Sequence, residues 1–223
     1  MRSYEETVKA LNQMIPEIHK NAVNHGWWDE PRDIYEIYSL IHSEFSEALE
    51  EYRNNMPEIY CNKRGSDWCE ECYGNVDHQA PGGMNCLKCY KLREESQKVP
   101  NKPEGTIVEL ADAVIRIMDY LGNRYKDFEV VDGELEKAST DSFAALIAFA
   151  HQLTAAAFVN AYLSQGSAEP NDVALNAEIE FLSAVVKLVW KYAEIVCIDL
   201  VEIIRVKHNF NKTRSYKHGG KRI

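Results

Sequence analysis

The sequence of 223 residues predicts an all-α protein, on three observations. Apolar residues recur at helical spacing over most of the chain, as where Ile34, Ile37 and Ile41 form one stripe. Residues 139–163 are very apolar and rich in alanine, which is typical of a helix that packs among other helices. No run indicates a β-strand outside the cysteine-rich residues 55–103. We therefore expect a four-helix-type bundle.

Two helices are predicted in the N-terminal quarter of the chain. Residues 4–24 place apolar and polar residues at helical spacing, and Pro16 should kink or split this segment. The sequence HGWWDEPRD at 25–33 predicts a loop, with Pro31 near the start of the next helix. Residues 33–54 form the second predicted helix, which carries acidic residues beside its apolar stripe.

The character of the chain changes at residues 55–103, where glycine, proline, asparagine and cysteine accumulate and helical periodicity ends. This segment is predicted to be an insertion, so that residues 1–54 and 104–223 together form one helical domain. The later predicted elements are a helix from about residue 105 to Gly122, a helix at Ser139–Leu163, a turn at 165–172 and one long helix from Ala174 to about Lys212.

Composition and charge narrow the functional classes. Hydrophobic residues make up 45% and charged residues 27% of the chain, as in soluble globular proteins. The formal net charge of -10 argues against a protein whose whole surface binds nucleic acid. No stretch reaches about 18 uninterrupted apolar residues, and MRSYEETVKALNQ lacks the apolar core of a secretory signal. We expect a cytoplasmic protein without a membrane span.

Two pairs of acidic residues indicate a metal site. Glu44 and Glu47 lie three residues apart on one predicted helix, and Glu109 and Asp112 have the same spacing on the next. That spacing places both acids of a pair on one helix face, at the edge of the apolar stripe. A single pair is common on solvated helices, but two pairs beside apolar stripes are more specific. Their hard oxygen ligands suit Mg²⁺ or Mn²⁺, and Glu47 could accept a proton from an attacking water.

Further polar residues could complete such a site. Asp119 could add a metal ligand, and Arg116 could orient a carboxylate or contact a phosphate; ordinary surface pairing is the alternative for both. Lys207, Asn211 and Arg214 recur at i, i+4 and i+7, so one face of the last predicted helix offers donors to a substrate. The alternative for this face is a solvated basic helix end.

An aromatic loop could bind a base. Trp27 and Trp28 could stack on a nucleobase, with Asn21, Asn24 or His25 contacting its polar edge. Paired aromatic residues at a helix boundary can equally be a packing contact.

Four cysteines predict a structural zinc site. Cys69 and Cys72 form one C-x-x-C motif, and Cys86 and Cys89 form a second one thirteen residues later. Two such motifs supply four thiolates for a closed tetrahedral zinc site, which leaves no position for a catalytic water. Redox-active disulfides are the competing interpretation.

The acidic motifs also carry a family resemblance. HSEFSEALEEYR, which begins at His42, and VELADAVIRIMDY, which begins at Val108, resemble the all-alpha nucleotide pyrophosphohydrolases, the MazG-like and dimeric dUTPase-like superfamily. The ending KHNFNKTRSYKHGGKRI is similar to the C-terminal signature of many members. The resemblance implies cleavage of a nucleoside triphosphate to a monophosphate and pyrophosphate. The cysteine-rich insertion and Ser215, where relatives commonly carry proline, depart from the family pattern.

A faint internal repeat relates the two halves of the helical domain. LIHSEFSEA, which begins at Leu40, can be laid over FAHQLTAAA, which ends at Ala157, so that His42 superposes on His151. In the same way Glu109 superposes on Glu180. The two interpretations are chance similarity and a duplicated helical hairpin, in which one copy keeps the acids and the other is structural.

Two other functions fit parts of the sequence. The zinc motifs alone would suit a non-catalytic zinc-containing protein that binds nucleic acid or another partner, although the acidic net charge argues against it. The second alternative is a regulatory homologue that binds nucleotide through metal but hydrolyses it poorly. The apolar helix at 139–163 further predicts a homodimer.

Overall fold

The computed structural model describes residues 1–62, 102–125, 130–132, 135, 137–165 and 172–217. The described residues are 76% helical, which confirms the all-α class. Their six helices are α1 (Tyr4–Asn24), α2 (Ile34–Arg53), α3 (Thr106–Arg124), α4 (Phe143–Gln165), α5 (Asp172–Ile195) and α6 (Leu200–Lys212). The other described elements are strands β1 (Tyr60–Asn62) and β2 (Lys102–Glu104) and a 3₁₀ turn at Lys137–Thr140.

Helix α1 begins at a capping box and continues through its proline. The Ser3 side chain accepts from the backbone N–H of Glu6, whose carboxylate accepts from the backbone N–H of Ser3. Pro16 lies inside one continuous helix, so of the two expected effects, a kink or a split, it does not split the segment. Its neighbours Ile15 and Ile18 are buried in the core, and this packing offsets the missing N–H donor.

Helix α3 is the central helix, since it packs against α1, α2, α5 and α6. Gly122 was expected to end it, but the helix runs two residues further, to Arg124. A Cβ atom at Gly122 would lie 2.9 Å from Cβ of His19 on α1. The glycine therefore permits a close approach of two helices rather than ending one.

The long C-terminal helix of the prediction is two helices. The chain leaves α5 after Ile195, and Cys197 takes a positive φ of 56° in the turn that follows. Asp199 then caps α6 by accepting from the backbone N–H groups of Val201 and Glu202. Cys197 is exposed in this turn.

A short antiparallel ribbon lies near the two ends of the predicted insertion at 55–103. Asn62 pairs with Lys102, which places the two ends of the intervening segment side by side. Cys69, Cys72, Cys86 and Cys89 lie outside the described residues, and so does the predicted zinc site.

Helices α2 and α4 meet at two histidines. The rings of His42 and His151 stack with centroids 5.0 Å apart, and their Nδ1 atoms are 2.7 Å apart. These are the two residues that the internal repeat superposes. A contact between equivalent positions is what a local twofold axis between duplicated halves would produce.

Helix α4 is apolar beyond its packed face, and Val159, Tyr162 and Leu163 are exposed. By length and composition this helix could cross a membrane, although only 33% of its most apolar window is buried. One such helix is weak evidence, because core helices of soluble proteins meet the same criteria. The absence of a membrane span stays a prediction.

Candidate metal centre and its cavity

One cavity of about 280 Å³ gathers almost all the polar residues that the sequence singled out. Its walls come from α1, α2, α3, α6, strand β2, the loop between α1 and α2 and the residues after α6. The predicted residues that line it are Asn21, Glu44, Glu47, Glu109, Asp112, Arg116, Asp119, Lys207, Asn211 and Arg214. Trp28 lines a small adjoining pocket of about 20 Å³ instead.

Three carboxylates converge at one end of this cavity. Single oxygen atoms of Glu44, Glu47 and Glu109 all lie within 4.8 Å of one another. Glu44 and Glu47 are one turn apart on α2, and Glu109 lies in the first turn of the neighbouring α3. Glu44 is 3% and Glu109 is 4% exposed, whereas Glu47 is exposed to solvent. Packing of the two apolar stripes thus brings the acids together.

Burial perturbs the two inner carboxyl groups. It raises the pKa of Glu44 to about 7, although the nearby Arg116 lowers it and the Asp112 charge raises it further. Burial also raises the pKa of Glu109 to about 8, against the opposing charge of Lys207. Without a cation at the centre, a proton therefore competes for these groups near neutral pH.

A buried lysine contacts both Asp112 and Glu109. The Lys207 ammonium lies 2.8 Å from Oδ2 of Asp112 and 3.6 Å from Oε2 of Glu109. Arg116 pairs with Oε1 of Glu44 at 2.5 Å. The four acids and two cations carry a net formal charge of two negatives when all are ionised. One divalent cation would balance it.

The donor set fits a hard divalent cation. Ligand oxygens at about 2.1 Å from one Mg²⁺ lie up to about 4.2 Å apart. The three glutamate oxygens all lie within 4.8 Å of one another, so small side-chain adjustments could bring them around one ion. Carboxylate oxygens are also the ligands that Mg²⁺ and Mn²⁺ prefer. Glu44, Glu47 and Glu109 could hold the ion, and Asp112 lies beside them in the same cavity wall.

The structure does not keep Lys207, Asn211 and Arg214 together as three donors on one face of the last helix. Lys207 is only 1% exposed and is committed to the acids. Helix α6 ends at Lys212, so Arg214 lies beyond it rather than on the same helical face. Asn211 does line the cavity, and its Oδ1 atom is buried with no hydrogen-bond partner among the described residues. An unsatisfied buried acceptor of this kind is available to a ligand.

Arg214 is held at the cavity by a histidine. The His25 ring nitrogens lie 2.8 Å and 3.0 Å from the carbonyl oxygens of Asn21 and Arg214. Both ring nitrogens therefore face backbone carbonyl groups. The Lys217 N–H donates to the His25 carbonyl, and Tyr216 covers Gly26 so closely that a Cβ atom there would lie 2.3 Å from its ring. His25 therefore does not present a free nitrogen to a base.

The two tryptophans have different surroundings. Trp27 lines the main cavity, and the Arg32 guanidinium lies 5.7 Å from the centre of its ring. The Trp28 indole N–H donates to Oδ1 of Asp119 at 2.9 Å. Asp119 is thus engaged by α1 and the loop and does not belong to the glutamate group.

Sequence reasoning missed His19 and Lys102. His19 contacts Asp119 through Nδ1 at 2.8 Å, and Lys102 lines the cavity from β2. His19 faces Asp119 across 100 residues of sequence, and helical periodicity carries no signal for such a contact.

Comparisons with protein-family models, curated proteins and solved structures gave no match to this chain.

Proposed function

We propose that this chain is a Mg²⁺-dependent nucleoside triphosphate pyrophosphohydrolase that releases a monophosphate and pyrophosphate. The observation that carries the proposal is the group formed by Glu44, Glu47 and Glu109 at one end of a cavity that also contains cationic side chains. Such a combination suits a metal-bound polyphosphate. The resemblance of the acidic motifs to the all-alpha nucleotide pyrophosphohydrolases, including their bundle type, supports the same reading.

Divalent metal at this centre would neutralise phosphate oxygens and lower the pKa of a bound water. Arg116 orients Glu44 by their ion pair, and Lys207 holds Asp112 in the same way. Glu47 is the exposed member of the glutamate group, so a water can reach it. We assign Glu47 the role of proton acceptor from the attacking water.

The rest of the cavity would bind the nucleotide. Asn211 offers its unpartnered Oδ1 to a sugar hydroxyl or an ordered water, and Arg214 lies where it can contact a phosphate. Asn21 and Trp27 are the candidates for contacts with the base, and Trp28 supports them from the adjoining pocket.

Further parts of the proposal concern the chain as a whole. We place it in the cytoplasm, with one structural Zn²⁺ on Cys69, Cys72, Cys86 and Cys89 in a 55–103 insertion. The exposed apolar residues of α4 support association into a homodimer. Sedimentation analysis without detergent tests this last point: a dimer supports it, whereas a monomer, or solubility only with detergent, contradicts it.

The decisive experiment measures pyrophosphate release from a panel of nucleoside triphosphates with Mg²⁺ or Mn²⁺. Glu47→Gln and Asp112→Asn each keep shape but remove a charge, so turnover should fall at least about a hundredfold. Glu180→Gln, an exposed residue of α5, is the matched control and should retain activity. The proposal fails if no triphosphate is hydrolysed, or if both site variants hydrolyse at wild-type rates. The zinc-containing binding protein would then be the better hypothesis.

A further inference from the structure

We propose that Asp119 selects nucleotides whose base carries an amino group at the position of N4 in cytosine or N6 in adenine, rather than the carbonyl oxygen that uracil or hypoxanthine carries there. This inference rests on the proposed function, because it takes the ligand of the cavity to be a nucleotide. It goes beyond that function by naming the substrate class and the residue that recognises it.

The position of Asp119 on α3 supports the assignment. Asp112 and Asp119 are seven residues apart, which is almost two full turns, so they lie on one face about 10 Å apart along the helix axis. Both line the same cavity, and Arg116 lies between them. A nucleotide that lies along this face with its phosphates near Asp112 would place its sugar beside Arg116 and its base near Asp119.

The hydrogen bonds of Asp119 leave one oxygen for a ligand. Oδ1 accepts from both the His19 ring at 2.8 Å and the Trp28 indole at 2.9 Å. Among the described residues, no group donates a hydrogen bond to Oδ2. Since Oδ2 is also not one of the buried atoms without a partner, it has accessible surface. Two donors fixed on one oxygen hold the carboxylate in a single orientation. A ligand in the cavity therefore meets an immobile acceptor.

The chemistry of the acceptor decides between bases. A carboxylate oxygen can accept a hydrogen bond from the amino group of cytosine or adenine. Uracil and hypoxanthine carry a carbonyl oxygen at this position, which has no hydrogen to donate and is repelled by the carboxylate. Their adjacent ring N–H could donate to the fixed carboxylate only if the base shifted along the cavity. Trp27 lines the same cavity and can cover the face of the base.

Asp119→Asn tests recognition of the base while it preserves the contacts of residue 119 with His19 and Trp28. The asparagine keeps an oxygen that can accept from His19 and Trp28, while its amide nitrogen replaces the oxygen offered to the base. We expect the wild-type protein to prefer dCTP over dUTP and dATP over dITP by at least about tenfold in kcat/KM. The substitution should reduce each preference by about tenfold or more. Asp141→Asn, an exposed residue outside the cavity, should change neither.

A binding measurement tests the role of Asp119 independently of the proposed hydrolysis. Calorimetry with the α,β-imido analogues of dCTP and dUTP in Mg²⁺ reads base selection without turnover. Selection in binding without hydrolysis of any triphosphate would support Asp119 and overturn the proposed function. Hydrolysis of all four nucleotides with equal efficiency, or an equal effect of Asp119→Asn on all four, would overturn the Asp119 assignment alone. Absence of binding to both analogues would overturn it as well.

Discussion

The ammonium nitrogen of Lys207 lies 2.8 Å from Oδ2 of Asp112, in a lysine side chain that is only 1% exposed. Burial opposes the charge, but the Asp112 and Glu109 carboxylates outweigh it and raise the pKa of Lys207 above its ordinary value. The lysine is therefore a permanent internal counter-ion of the acidic centre. It neutralises acids that would otherwise repel one another.

Loss of this counter-ion should destabilise the protein. Lys207→Met leaves Asp112 and Glu109 without their partner, and we expect the free energy of unfolding in EDTA to fall by about 3 kcal/mol or more. Mg²⁺ should restore part of that loss, since it neutralises the same acids. Urea unfolding with EDTA and with Mg²⁺ measures both effects.

Arg205→Met is the matched control for this experiment. Arg205 also lies on α6 and pairs with an acid, Glu202, but its side chain is 48% exposed. Exposed pairs contribute little, so its substitution should change stability by less than about 1 kcal/mol. Equal losses in the two variants would show that Lys207 is not a buried counter-ion.

A second buried acid stabilises the helical core. Oε1 of Glu178 accepts from the hydroxyl groups of Tyr38 and Tyr120, and Oε2 accepts from Tyr125. Arg124 lies 3.4 Å from the same carboxylate. These contacts link α2, α3 and α5 through one fully buried side chain.

Glu178→Ala should therefore lower the free energy of unfolding by about 3 kcal/mol or more, because two buried hydroxyl groups and one partly buried hydroxyl group lose their acceptor. Glu180→Ala removes an exposed acid two residues away and should cost less than about 0.5 kcal/mol. Thermal and urea unfolding of both variants measure the difference. Similar stabilities of the two would contradict the role of this network.

The sequence predicts the acidic centre better than it predicts its counter-ions. Glu44 and Glu109 are recognisable because i, i+3 spacing beside an apolar stripe constrains where a helical side chain points. The pairing of Lys207 with Asp112 joins residues 95 positions apart, and helical periodicity is silent about such contacts. Whether Glu178 or Glu180 is buried depends on the rotation of α5 against α3, which tertiary packing decides.

Helix ends show the same limit. The sequence does indicate a helix start before α6, since Asp199 and Glu202 have the spacing of an N-cap and the third residue of a helix. The apolar residues continue at helical spacing from Ala174 onward, however, and this pattern favours one long helix over two. Gly122 resembled a helix end, but the reason for a glycine there is the approach of His19 from another helix, which only the three-dimensional packing reveals.

Protein purified without added metal should contain about one equivalent of zinc. Cys69, Cys72, Cys86 and Cys89 form two C-x-x-C motifs, which together supply four thiolates. X-ray absorption should give sulfur ligands at about 2.3 Å. Cys72→Ser should lose the zinc, whereas Cys197→Ser, at the exposed turn before α6, should retain it. Disulfides among the four cysteines in fresh, reduced protein would argue for the redox interpretation.

Acid should weaken the contact between α2 and α4. With Nδ1 atoms 2.7 Å apart, neutral His42 and His151 share one hydrogen, whereas two protonated rings would oppose two N–H groups. Burial lowers the pKa of both rings, and the charge of His151 lowers that of His42 further. Because the folded pKa lies below the unfolded value of about 6.5, the neutral pair favours folding at higher pH, and this stability is lost as pH falls below about 6.5.

The expected slope is at most about 1.4 kcal/mol per pH unit for each ring. Urea unfolding at pH 8.0, 6.5 and 5.5 should show it in the wild-type protein. His151→Gln removes one titrating group and keeps a partner for Nδ1 of His42, so stability should fall less between pH 6.5 and 5.5. His208, whose pKa burial also lowers, lies on α6 and contributes equally to both proteins. If the two proteins lose stability in parallel on acidification, the histidine pair does not make the α2–α4 contact sensitive to pH.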